Sequence, residues 1–183
     1  MEKSLFIIPE CYVDTNLIST LVNANVNHQK GCNNVTKVMK QDFAERFAVG
    51  IIDKDKKKPG YLDEFVSLAQ NKHIELLKHK TKHHYLITIH PAIDQLILDC
   101  AKEVGVKMQD FGYPCKLKEF TDCTKKITTN KDENFKRLFK ALWNSKEIEA
   151  LRCTLQYLSV HKFQVDPNEL LNIFIPNKNI ENE

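Results

Sequence analysis

Apolar positions along the 183-residue chain follow two periods. Short runs suited to buried strands alternate with stretches whose apolar residues recur every three or four positions, as one face of a helix requires. Residues 5–8, LFII, are the first run; Asp14 then stands as a candidate N-cap before TNLISTLVNA, which has helical spacing. VNHQKG predicts a short second strand ending at Gly31, and VTKVMKQDFAERF sets Val35, Val38, Met39, Phe43 and Phe47 on one helical face. AVGIID, residues 48–53, is a third strand. The order is βαβαβ, whose crossovers are right-handed, so the pattern predicts parallel strands between helices with their carboxyl ends along one edge.

Past the turn signal Pro59-Gly60, YLDEFVSLAQN predicts a helix, IELLKHK and HYLITIH predict strands, and PAIDQLILDCAKEVG predicts a helix with Pro91 in its first turn and Gly105 as its stop. From about residue 115 the pattern is helical only: KLKEFTDCTKKI, DENFKRLFKALWNS, KEIEALRCTLQYLSV and a short DPNELLNIF. Phe135, Phe139 and Trp143 fall at helical spacing there and are read as core rather than as a base-stacking platform, while Arg137 and Arg152 are read as solvent-facing, with a substrate as the alternative. The predicted class is α/β, a parallel-core sheet flanked by helices over residues 1–110, with a helical subdomain, 111–176, packed on it and a flexible polar tail, 177–183.

Composition adds little to this picture. Hydrophobic residues at 42% and charged residues at 28% are ordinary globular proportions and argue against disorder. The first apolar run is too short for a signal peptide or a spanning helix, so a cytoplasmic protein is expected. Six cysteines with no C-x-x-C pair are expected to be reduced and mostly buried. A net charge of +3 admits an anionic partner without requiring one.

Candidate chemistry gathers at the end of the third strand. Open sheets of this kind place their sites at the carboxyl edge, where Glu10, Asp53 and Asp55 would lie. Period two lets Asp53 and Asp55 point the same way, and the repulsion between them is relieved by a hard divalent cation such as Mg2+. Lys54, Lys56 and Lys57 stand beside them, placed for a substrate phosphate. The plainer reading is a capped, solvated, lysine-rich loop. A second basic cluster, KHKTKHH at 78–84, sets Lys78, Lys80, Lys82 and His84 on one strand face, which suits a phosphate backbone or simply protects an edge strand. His83, His84 and His90 could serve as general acids, with surface or capping roles as the alternative.

FIIPECYVD resembles the first motif of Toprim domains, an apolar strand followed by Glu-Gly-x-x-Asp, and VGIIDKDK resembles their second, an apolar strand ending in Asp-x-Asp. Cys11 departs from the family's usual glycine. The resemblance spans about residues 4–98 and implies a Toprim-like fold in which Glu10 is the catalytic acid or base and Asp53 and Asp55 bind Mg2+ or Mn2+. HPAIDQLI is similar to a Pro-x-x-Glu helix start in some Toprim-like defence proteins, which would make Asp94 an accessory metal ligand; the alternative for Asp94 is a first-turn residue opposite the helix dipole. Toprim topoisomerases and primases need modules this chain has no room for. The likeness therefore implies a small nuclease of the overcoming-lysogenization-defect or ribosomal-RNA maturase type, acting on DNA or RNA, in phage defence, with an ATPase as a conceivable partner. Two rival readings remain: a Toprim-like module that binds nucleic acid or protein without catalysis, and a haloacid-dehalogenase-like phosphatase with Asp53 as nucleophile.

Overall fold

The computed structural model describes residues 2–54 and 59–175. Its centre is a five-stranded sheet built from Ile7–Pro9 (β2), Ala48–Asp53 (β4), Phe65–Gln70 (β5), Ile74–His79 (β6) and His84–Ile89 (β7), in the order β2-β4-β7-β6-β5. β2, β4 and β7 run parallel, whereas β6 and β5 join antiparallel, so the sheet is mixed. All of β2 and β7, and β4 up to Ile52, are buried, as strands covered on both faces must be. Among the described residues no helix is long and apolar enough to cross a membrane.

Alternation along β4 divides its side chains between two cores. Val49 and Ile51, with Ile7, Ile87 and Ile89, face the helices Tyr12–Val22 (α1) and Ile93–Glu103 (α3). Ala48 and Ile52, with Ile8 and Leu86, face the helix Cys32–Gln41 (α2). Gly50 lies between the latter two and admits α2 at close range. A Cβ there would stand 2.6 Å from Met39 Sδ and 2.9 Å from Leu86 Cδ1.

Leu117–Thr124 (α4), Glu133–Ala141 (α5), Lys146–His161 (α6) and Pro167–Phe174 (α7) complete the fold. Phe120, Phe135, Leu155 and Phe174 belong to the same apolar cluster as Ile7, Leu17 and Ile51, so these helices share the core on one face of the sheet. A polar clamp ties α6 to the sheet. The buried ring of His73, just before β6, meets Glu147 Oε2 of α6 at 2.5 Å and Asp99 Oδ2 of α3 at 3.1 Å, while the His73 N–H donates to Glu147 Oε1.

Several elements differ from the sequence reading. Residues 61–71 are not a helix: a 3-10 turn at Gly60–Glu64 leads into β5, because pairing with β6 supplies the hydrogen bonds that a helix would otherwise make. The strand expected over 26–31 is not there: the strand lies earlier, at Ala24–Val26 (β3), and stays out of the main sheet, pairing with Glu2–Ser4 (β1), while residues 27 and 29 run alongside β2 and donate to the Ile7 and Pro9 carbonyls. β6 is interior, so its lysines guard no edge. Trp143 is 39% exposed just past the end of α5, its ring under the Arg152 guanidinium, and is not core like Phe135 and Phe139. The six cysteines are free, as expected, but only Cys100 is fully buried. The tail 177–183 lies outside the described residues.

The close seating of α2 gives a direct test of the packing under the site. Gly50→Ala should cost about 1–3 kcal/mol, the usual penalty of overpacking, measured by urea denaturation. A variant as stable as the parent would show that Met39 and Leu86 yield freely.

Candidate functional site

The carboxyl ends of β2 and β4 meet the amino ends of α1 and α3 at one edge of the sheet. Glu10 follows β2, and its Oε2 accepts the backbone N–H of Asp53 at 3.1 Å, joining the two strand ends through a side chain. Asp53 continues the alternation of Val49 and Ile51 and so points to the α1/α3 side. Its Oδ1 accepts the N–H of Ile93, the first residue of α3, at 3.2 Å. Asp94 is buried one residue further on, with Thr121 of α4 donating to its Oδ2 at 2.8 Å. The sequence-predicted residues Glu10, Asp53 and Asp94 therefore line one pocket of about 290 Å3, together with His28, Lys30 and Lys125.

Asp14 completes the acidic group, though not as the expected N-cap. The N-cap of α1 is Cys11, and Asp14 occupies the third helical position of a capping box: the Cys11 N–H donates to Asp14 Oδ2 at 3.2 Å and the Asp14 N–H to Cys11 Sγ at 3.4 Å. Cys11 has φ −126° and ψ 174°, extended backbone that any residue adopts, so the position does not require glycine.

Four carboxylates in a space that partly excludes water is an electrostatic problem. Asp53 is pushed up from 3.8 to about 8, first by burial and then by the charges of Asp14 and Glu10. Asp14 is raised to about 7, again first by burial, with Glu10 and Asp94 adding to it. Burial and the adjacent Asp14 also push the Cys11 thiol well above its ordinary range. Asp14 Oδ1 and Asp94 Oδ1 are buried without a hydrogen-bond partner among the described residues. Such a set is relieved either by protons or by a cation. Among the described residues, however, no three His, Cys, Asp or Glu side chains form a ready-made metal cage. All-oxygen donors with repelling charges fit Mg2+, which takes one or two carboxylates and fills its remaining positions with water and phosphate.

The other sequence-predicted residues fare differently. Asp55, Lys56 and Lys57 lie outside the described residues. Lys54 turns to the opposite face of β4 and pairs with Glu75 Oε2 at 3.1 Å, in a smaller pocket that Asp53 also borders. The 78–84 cluster sits at the far end of the sheet from Asp53, since β7 begins there and runs parallel to β4. Its cations are engaged by the protein itself: Lys78 with the His79 and Lys82 carbonyls, Lys80 with the Asp63 carbonyl, Lys82 with the Ala44 carbonyl. His84 is buried between the Tyr61 hydroxyl and the Phe43 carbonyl, and burial lowers its pKa. His83 packs on Phe163 and His90 is exposed after β7; neither lines the acidic pocket.

Sequence reasoning missed His28, Lys30 and Lys125. The only signal for the first two was their place after a strand that leads to the same edge. Lys125 reaches the pocket through the packing of α4, which no local pattern announces. Compared with protein-family profiles, curated proteins and solved structures, the chain has no significant match to any.

The raised carboxyls make a signed prediction. In cation-free protein, folding favours the protonated form of Asp53, so this group's contribution is full below the unfolded value of 3.8 and is lost as pH rises through about 8. Asp53→Asn keeps the acceptor for Ile93 and carries no such loss. Its melting temperature relative to the parent should rise from about pH 5 to about pH 8.5 in EDTA. A constant difference across that range would contradict the buried-charge account.

Proposed function

We propose that the protein is a metal-dependent nuclease that hydrolyses phosphodiester bonds in DNA or RNA, with Mg2+ or Mn2+ as cofactor. The observation that carries this reading is the convergence of Glu10, Asp53 and Asp94 on one pocket, with Asp14 buried close enough behind it to feel their charge; Asp14 Oδ1 and Asp94 Oδ1 are buried with no hydrogen-bond partner among the described residues. One or two of Asp53, Asp94 and Glu10 would hold the cation, with water and phosphate filling its remaining positions. Bound there, it would neutralise charge on the phosphoryl group and activate water. The chain's own groups do the rest. Glu10 fixes the spacing of β2 and β4 by accepting the Asp53 N–H, and the first turn of α3 holds Asp53 in place through the Ile93 N–H. The exposed lysines 30 and 125 at the pocket rim attract a polyanion that the carboxylates alone would repel. The Toprim resemblance of the first two strand ends supports the same chemistry, and phage defence with an ATPase partner remains part of the proposal on that ground alone.

The test is direct. Purified protein should cleave DNA or RNA with Mg2+ or Mn2+ and not in EDTA. Glu10→Gln and Asp53→Asn should each reduce the rate by about 10²-fold or more, the scale of losing a group that stabilises transition-state charge. Asp94→Asn should have a smaller effect. Nucleic-acid binding without cleavage by the parent protein would point to a non-catalytic module. A phosphoaspartate at Asp53 with turnover of phosphomonoesters would point to a phosphatase.

A further inference from the structure

His28 lies between β3 and α2, in the segment that runs alongside β2 to the acidic edge. Its ring stacks on Tyr12 at 4.6 Å between centroids and an interplanar angle of 22°. Its Nδ1 is 2.8 Å from Thr15 Oγ1, and that hydroxyl already donates its single proton to the Cys11 carbonyl at 2.7 Å. Nδ1 must therefore be the donor, which leaves the lone pair of the neutral ring on Nε2. Among the described residues Nε2 has no hydrogen-bond partner, and His28 is the one histidine that lines the acidic pocket.

Glu10 is poorly suited to move a proton. One of its oxygens is committed to the Asp53 N–H, and its carboxylate helps to raise Asp14 and Asp53. We infer that His28 is the general base of the phosphodiester hydrolysis, taking a proton from the attacking water at Nε2; this rests on the nuclease reading above. The water oxygen forms a bond to phosphorus as the bond from phosphorus to the leaving oxygen breaks. The water's proton passes to Nε2, the leaving alkoxide takes a proton from solvent, and the imidazolium returns its own to solvent, so the net change is addition of one water.

Two features support the assignment. Stacking on Tyr12 and the bond to Thr15 fix the ring plane and tautomer, as a positioned base requires. Burial lowers the pKa of His28 below its ordinary value and so favours the neutral ring, opposed by a hydrogen bond to the Cys11 backbone. The charged and titratable groups around it are Cys11 and Tyr12 from α1, Lys30 on its own segment, Glu10, Asp53 and Asp94 across the pocket, and Lys125 beyond α4.

The test compares His28→Asn, whose amide can keep the Nδ1-type donor to Thr15 while removing the base, with His28→Ala and the parent. His28→Asn should lower kcat by about 10²-fold or more, leave KM near the parent value and abolish the acid limb of the pH–rate profile. Added imidazole should restore part of the activity of His28→Ala. Thermal upshift by Mn2+ should be the same in parent and variants, because His28 is not assigned to the metal. NMR of the cation-free parent should show the His28 ring titrating below the ordinary histidine value. A parent that cleaves, loses cleavage with Asp53→Asn, and keeps its rate and pH profile with His28→Asn would overturn this inference alone. Loss of the Mn2+ upshift in His28→Asn would also overturn it, by assigning His28 to the metal site. A parent that does not cleave at all overturns the nuclease reading and this inference together.

Discussion

Like charges brought out of water repel, and the edge where β2 and β4 end is organised around that repulsion. Glu10, Asp14, Asp53 and Asp94 come from three stretches of the chain and accept from backbone N–H groups or a neighbouring hydroxyl. Burial is the largest cause of the raised Asp14 and Asp53, and mutual repulsion comes after it. A fold selected for stability alone would place apolar groups there, since buried charges without partners are costly. Protons on Asp14 and Asp53 relieve that cost, and in the function proposed above a cation would do the same.

The scaffold makes the crowding possible. The parallel core directs two strand ends and two helix amino termini to the same edge, where the positive ends of α1 and α3 favour carboxylates in their first turns. Gly50 lets α2 close against the opposite face of β4, so the strand that carries Asp53 is gripped from both sides. The His73 clamp fixes α3 and α6 relative to the sheet, and α3 in turn supplies Ile93 and Asp94.

Much of this was legible in the chain, and the exceptions have physical causes. β4 and β7 announce themselves as mainly apolar runs because they are buried on both faces, and α3 does so through its spacing and stop signal. β5 does not, because Leu62, Phe65 and Ala69 recur at helical intervals, and only pairing with β6 decides between the two periods. Glu10 and Asp53 could be placed at one edge because parallel strands follow from element order, as could Asp55, which lies outside the described residues; Asp94 came only from the family resemblance. Their approach to Asp14 could not be read in this way, since it depends on which residue caps α1. The basic cluster at 78–84 was misleading for a similar reason: charge in a sequence does not say which carbonyls will claim it, and Lys78, Lys80 and Lys82 are claimed by loops at the far end of the sheet.

The cap of α1 bears on how such sites are recognised at all. A glycine in a motif stands for a backbone freedom, and where the chain takes an ordinary extended path the glycine has no work to do. Cys11 takes such a path and contributes its sulfur to the turn as well. A side chain at position 11 therefore carries no backbone penalty, and its identity is set by what it can offer the helix start.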